Sequence, residues 1–132
     1  MRLFPTVPFL SRTPIEPDEL GGRTVTPGTL VVIAPYVLHR HRTLWDSPDR
    51  FMPERFLPGA RETIDRFAYL PFGAGPRVCI GSRFALQEAM IVLVEVMARA
   101  RLDPVEGPEP RPVHRITLRP EGRLAMAVRP RV

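Results

Sequence analysis

Seventeen of the 132 residues are proline, and this constrains the fold more than any other feature of the chain. Each proline fixes φ, lacks a backbone N–H and breaks a helix interior. Much of the chain is therefore expected to form loops, turns and short strands rather than long helices. The strongest helix expectation is Ser82 to Arg101. Ser82 can cap its N-terminus, and Arg99 and Arg101 suit the dipole at its C-terminus. Its middle, Ala89 to Val94, is apolar on all sides, which predicts a helix buried in a larger body.

Around that helix the punctuation is dense. Residues 1–12 read as the end of something, because Arg2-Leu3-Phe4-Pro5 has no cap or helix start before it. Gly21-Gly22 and Pro27-Gly28 are turn signals and bracket a short strand, Arg23–Thr26. Thr29–Ala34, rich in Val and Ile, predicts a buried strand, and Tyr36 to His41 a short helix. From Thr43 to Tyr69 the chain is an irregular meander, and Pro104 to Pro112 is a loop. Ile116–Arg119 and Leu124–Val128 alternate with period two around Pro120-Glu121-Gly122, which predicts a terminal β-hairpin. No internal repeat is visible.

The length suits one domain with a core, and 44% apolar with 25% charged residues are globular values. The net charge of +5 comes from 19 arginines and no lysine. They are scattered, without a block of five or aromatic interleaving, so a solvated basic surface is expected rather than a nucleic-acid interface. An acidic partner docking on that surface stays open. The single cysteine, Cys79, excludes an internal disulfide framework and a multi-cysteine zinc site. The longest apolar run, Ala89 to Val94, is far short of a membrane span, and Pro5 and Pro8 interrupt the N-terminal apolar stretch. A cytoplasmic location is expected.

Cys79 sits in Phe72-Gly73-Ala74-Gly75-Pro76-Arg77-Val78-Cys79-Ile80-Gly81, immediately before the long helix. A thiolate that is to bind a haem iron needs positive potential and donors near the sulfur. A place just before a helix N-terminus supplies both. Gly75 and Gly81 would let the backbone pass close to a porphyrin face, Phe72 could shield the sulfur, and Arg77 could pair with a propionate. An inert buried cysteine and a catalytic nucleophile are the competing interpretations.

The pattern Phe-x-x-Gly-x-Arg-x-Cys-x-Gly, on Phe72, Gly75, Arg77, Cys79 and Gly81, resembles the haem-binding signature of the cytochrome P-450 family. Ala85 and Glu88 fall where that signature continues into the family's last long helix. Pro53-Glu54-Arg55-Phe56 is similar to the family's meander motif. Arg2-Leu3-Phe4-Pro5 resembles the end of its Glu-x-x-Arg helix and the loop after it. His39-Arg40-His41, Trp45 and Pro48-Asp49-Arg50-Phe51 follow in the family's order.

The resemblance implies an α+β fragment: residues 1–132 as the C-terminal, haem-binding portion of the mainly α cytochrome P-450 fold. Its parts would be short strands, the meander, the cysteine-ligand loop, a long buried helix and a terminal hairpin. Cys79 would be the axial ligand, in a family whose thiolate pushes electron density to favour O–O cleavage. Cofactor contacts would involve Phe72, Gly73, Gly75, Arg77, Gly81 and Ala85, with Arg12 as a second propionate partner or a surface residue. Val7, Phe9 and Leu10 would face substrate or be plain core. Arg2 and Arg55 would form a charged triad with a glutamate three residues before Arg2, a position that lies before Met1. Without it the two arginines are a like-charge pair; solvated surface arginines are the alternative. His39 and His41 could suggest a metal pair, but without a third ligand nearby hydrogen-bonded structural histidines are the better expectation.

The implied function is a haem-thiolate monooxygenase that activates O2 and inserts oxygen into a small, apolar organic substrate. Electrons would come from NAD(P)H through a ferredoxin or flavoprotein reductase docking near Arg77 and Arg83. The isolated chain is expected to be inactive, with no catalytic residue beyond the haem ligand. The rivals are a non-catalytic remnant, a haem-binding or haem-sensing module, and a basic interaction domain with an inert cysteine.

Overall fold

In the computed structural model, which describes residues 1–131, the chain divides into two compact units. The first is Met1–Pro71 with Ile116–Leu118. Its strands are short, as the prolines demand: β1 (Leu10–Arg12), β2 (Asp18–Leu20), β3 (Arg23–Val25) and β4 (Val31–Ile33). β2 and β3 form a hairpin across Gly21-Gly22, whose φ values of 58° and 74° are those a two-residue hairpin turn needs. β1 and β4 pair antiparallel, with Leu10 opposite Ile33 and Arg12 opposite Val31. The strand expected over Thr29–Ala34 is thus shorter, and it is not buried, since Val32 and Ile33 are exposed. A two-stranded sheet covers little of either face.

Helix α1 (Pro35–Leu38) carries Pro35 at its start, where a missing N–H costs nothing. The meander that follows is irregular as expected, apart from single 3-10 turns at Pro53–Phe56 and Arg61–Thr63. The core of this unit is small and aromatic. Trp45 and Ala68 are buried, and His39, Pro5, Pro8 and Pro35 are fully enclosed. Phe56 and Tyr69 stack at 4.9 Å between ring centroids, with Trp45 6.4 Å from both. Such spacings are favourable for offset or edge-on aromatic pairs.

The second unit comprises Phe72–Arg115 and the chain from Arg119 onward. It holds the longest proline-free stretch, residues 77–103, and there the long helix forms, α2 (Ser82–Arg99). It runs straight into β5 (Ala100–Pro104), so Arg101 lies in a strand rather than in the last helical turn. Gly81, not Ser82, is the N-cap, and no side chain caps this end.

The strands β6 (Pro112–His114), β7 (Leu118–Pro120) and β8 (Met126–Pro130) follow. The expected terminal hairpin is not formed. β7 pairs with β6, and β8 pairs antiparallel with β5, Leu102 opposite Val128. Alternation identifies a strand and its faces but not its partner. No described residue of α2 is buried, and Met90 to Val94 are 54–65% exposed. The expectation is of a helix buried in a larger body, and within this chain its all-round apolar surface is left uncovered.

Candidate cofactor site

The loop before α2 is closed by its own backbone. The Cys79 N–H donates to the Phe72 carbonyl at 3.0 Å, and the Val78 N–H to the Gly75 carbonyl at 3.0 Å. Between them Gly75–Arg77 make a 3-10 turn. Gly75 has a φ of 72°, open to glycine and costly for other residues. The Ser82 N–H donates to the Cys79 carbonyl at 3.3 Å, and the Ala85 N–H to the Gly81 carbonyl at 2.9 Å. Both backbone polar groups of Cys79 are thereby engaged, which fixes the direction in which its side chain leaves the loop.

The thiol is exposed, so the inert buried alternative does not hold. Exposed apolar residues flank it, Val78 and Ile80, while Phe72 and Gly73 are half-buried. A Cβ built on Gly81 would stand 3.9 Å from the Cys79 sulfur, an ordinary contact, so the backbone passes close beside the sulfur. α2 begins two residues after Gly81's neighbour Ile80, without a capping side chain or an acidic residue in its first turn. Its leading N–H groups supply positive potential next to the thiol. Arg77 is exposed and forms no ion pair among the described residues. A soft sulfur ligand, apolar flanks, a glycine-lined approach and a free guanidinium fit a haem iron and its anionic edge. Ala85 lies on the first turns of α2 and is exposed.

The first unit brings Arg2 and Arg55 onto one turn of chain. Arg2 is buried, only 5% exposed, so the surface alternative is wrong for it. Its guanidinium donates to the carbonyls of His39 at 2.7 Å, Pro48 at 2.6 Å and Arg50 at 2.8 Å, and lies 4.9 Å over the Trp45 ring. Arg55 donates to the carbonyls of Asp46 and Ser47. Both arginines thus grip residues 46–50, where Ser47 adopts a left-handed φ of 45°. Desolvation and then repulsion from Arg55 push the Arg2 pKa down. The Arg55 Nε–H is buried without an acceptor among the described residues. Within the described residues both guanidiniums are held by backbone carbonyls.

His39 is a structural histidine, as expected, and its importance exceeds what its type suggested. It is fully buried; Nδ1 lies 3.1 Å from the Arg2 carbonyl and Nε2 accepts the Leu70 N–H at 2.8 Å. These partners fix the neutral Nδ1–H tautomer. His41 instead hydrogen-bonds Thr43. Among the described residues no three His, Cys, Asp or Glu side chains gather as a metal site.

Arg12 is exposed on β1, and its Nη1 donates to the neighbouring Ser11 carbonyl at 2.7 Å. In the segment from Thr6 to Leu10, Val7 and Phe9 are exposed and Leu10 half-buried; Pro5 and Pro8 turn inward instead. Within this chain neither Val7 nor Phe9 is part of the buried core. The Leu118 N–H donates to the Thr6 carbonyl at 2.9 Å. That bond holds Ile116–Leu118 against this segment, with the Ile116 side chain exposed. Ile116 is an apolar neighbour that alternation alone assigned only to a strand.

Comparison with known proteins identifies one family. A family model, Cytochrome P-450, matches residues 1–126. Cyclooctatin synthase of Streptomyces melanosporofaciens is 43% identical over 131 residues, 99% of this chain and 28% of that protein. Cytochrome P-450 4c3 of Drosophila melanogaster is 37% identical over 132 residues, 99% of this chain and 25% of that protein. The crystal structure of the cytochrome P-450DA heme domain superposes with a TM-score of 0.90 at 32% identity, covering 99% of this chain and 29% of that one. The chain thus spans between a quarter and a third of the length of these proteins.

Proposed function

Because the chain belongs to the cytochrome P-450 family, we propose that it carries the haem-ligand loop of a haem-thiolate monooxygenase acting on an apolar organic substrate. The exposed Cys79 sulfur, on a loop closed by the Cys79 N–H to Phe72 carbonyl bond, carries this proposal. When bound, haem supplies the redox iron at which O2 is activated. Cys79 would hold its iron through the sulfur, on a loop whose two backbone bonds fix the direction in which the side chain leaves. Arg77 would pair with a propionate through its planar fork. Phe72 would cover the sulfur side and exclude water, and Gly75 and Gly81 keep bulk away from the approach.

The exposed apolar side chains Val7, Phe9 and Ile116 form the proposed substrate-facing surface of the first unit. Electrons would come from NAD(P)H through a ferredoxin or flavoprotein reductase, docking by charge at Arg77 and Arg83. The test is loading of the chain with haem, since the isolated chain is expected to be inactive in turnover. A thiolate-type complex that is lost in Cys79→Ala supports the proposed haem-ligand loop. A haem complex that forms equally well without the Cys79 sulfur overturns it.

A further inference from the structure

The ribbon of β5 and β8 sets four arginines against one another. Arg101 stands directly opposite Arg129. The Arg131 N–H donates to the Arg99 carbonyl at 2.9 Å, which carries the pairing one step past Ala100 and Pro130. Arg99, the last residue of α2, and Arg131, just past β8, are therefore opposite each other beyond the end of the ribbon. All four are exposed. Like charges directly opposite weaken a strand pair.

One of the two pairs has an internal counter-charge. Asp103 reaches the Arg101 Nε at 2.8 Å with one oxygen and the Arg129 Nε at 3.3 Å with the other. A single carboxylate thus spans both strands. The Arg99–Arg131 pair has no such bridge among the described residues, since Arg99 pairs with Glu95 of its own helix at 2.8 Å. An exposed i,i+4 pair of that kind is weak and screened by salt.

We infer that Arg99 and Arg131 are a docking site for an extended acidic segment of a partner protein, one of whose carboxylates bridges the two guanidiniums as Asp103 bridges their neighbours. The ribbon itself shows that a carboxylate has the right reach. Alternate side chains of an extended segment lie on one face, about 6.6 Å apart, so such a segment can present successive carboxylates to this end of the ribbon. Charge complementarity of this sort governs encounter and register more than affinity, which suits a transient partner. The surface needs neither haem nor turnover, so its failure is separate from failure of the monooxygenase proposal.

The test is fluorescence anisotropy of a labelled hexaglutamate peptide titrated with the full chain at low salt. Arg99→Gln with Arg131→Gln weakens binding about fivefold, whereas Arg23→Gln with Arg50→Gln, the same charge change in the first unit, alters it less than twofold. Circular dichroism verifies that each variant is folded, and Arg99→Lys with Arg131→Lys, which keeps charge but loses the fork, falls between. Equal losses in both glutamine variants would overturn the inference. Tighter binding of inorganic tripolyphosphate than of the peptide through the same pair would overturn the choice of a protein partner.

Discussion

Arg2 and His39 hold each other by two reciprocal bonds: the Arg2 guanidinium donates to the His39 carbonyl at 2.7 Å, and the His39 ring donates back to the Arg2 carbonyl at 3.1 Å. Residues 37 positions apart are thereby locked, and the aromatic cluster of Trp45, Phe56 and Tyr69 gathers around the lock. The core of the first unit is built on a satisfied polar centre rather than on aliphatic bulk.

Replacing Arg2 by Met should therefore be costly, because three carbonyls lose a charged donor. The expected destabilisation is about 3 kcal/mol, read from the urea midpoint. Arg2→Lys keeps the charge but not the fork and should recover only part of it.

His39 should make stability pH-dependent. Burial first, and then the positive charges of Arg2, the N-terminus and Arg40, lower its pKa to about 4, although its bond to the Arg2 backbone opposes the shift. An unfolded histidine titrates near 6.5. Between these values the unfolded chain binds more protons, so stability rises with pH. The contribution is complete above about pH 6.5 and is lost as pH falls toward 4, a difference of about 3 kcal/mol. Denaturation midpoints measured from pH 4 to 8 should slope in the parent and flatten across this window in His39→Gln.

Gly75→Ala tests the loop. A Cβ there meets nothing within 4 Å, yet φ is 72°. The cost should be purely conformational, about 1 kcal/mol, with Asn costing less than Ala because it tolerates the left-handed region. A much larger loss in chemical denaturation would point to a steric role instead.

Asp103→Asn should loosen the ribbon of β5 and β8 by about 1 kcal/mol, since Arg101 and Arg129 would then repel across the strands. The loss should shrink in high salt. Adding Arg129→Ala to the same chain should restore most of it, and a double-mutant cycle by thermal denaturation reads the coupling.

The parts legible in sequence were those governed by local rules. The prolines confined long helix to residues 77–103, and the spacing around Cys79 marked the loop. Ser82 looked like a cap by residue type, but the Ala85 N–H reaches the Gly81 carbonyl, so the helix begins one turn-residue tighter. Strand partners were not legible, because period-two alternation in residues 124–128 carries no information about β5. The all-round apolar surface of Met90 to Val94 was legible, because it needs only the local sequence, whereas what packs on it depends on residues outside that window. His39 could be read as structural, but its partners, Arg2 and Leu70, lie 37 and 31 residues away. No short window contains them.

The most direct measurement is the reduced carbon monoxide spectrum of the haem-loaded protein, with and without Cys79. A thiolate-type spectrum in the parent that disappears in Cys79→Ala is the predicted result, because the exposed sulfur is the proposed axial ligand. A spectrum that is unchanged by that substitution would contradict the assignment of Cys79, and with it the haem-thiolate function.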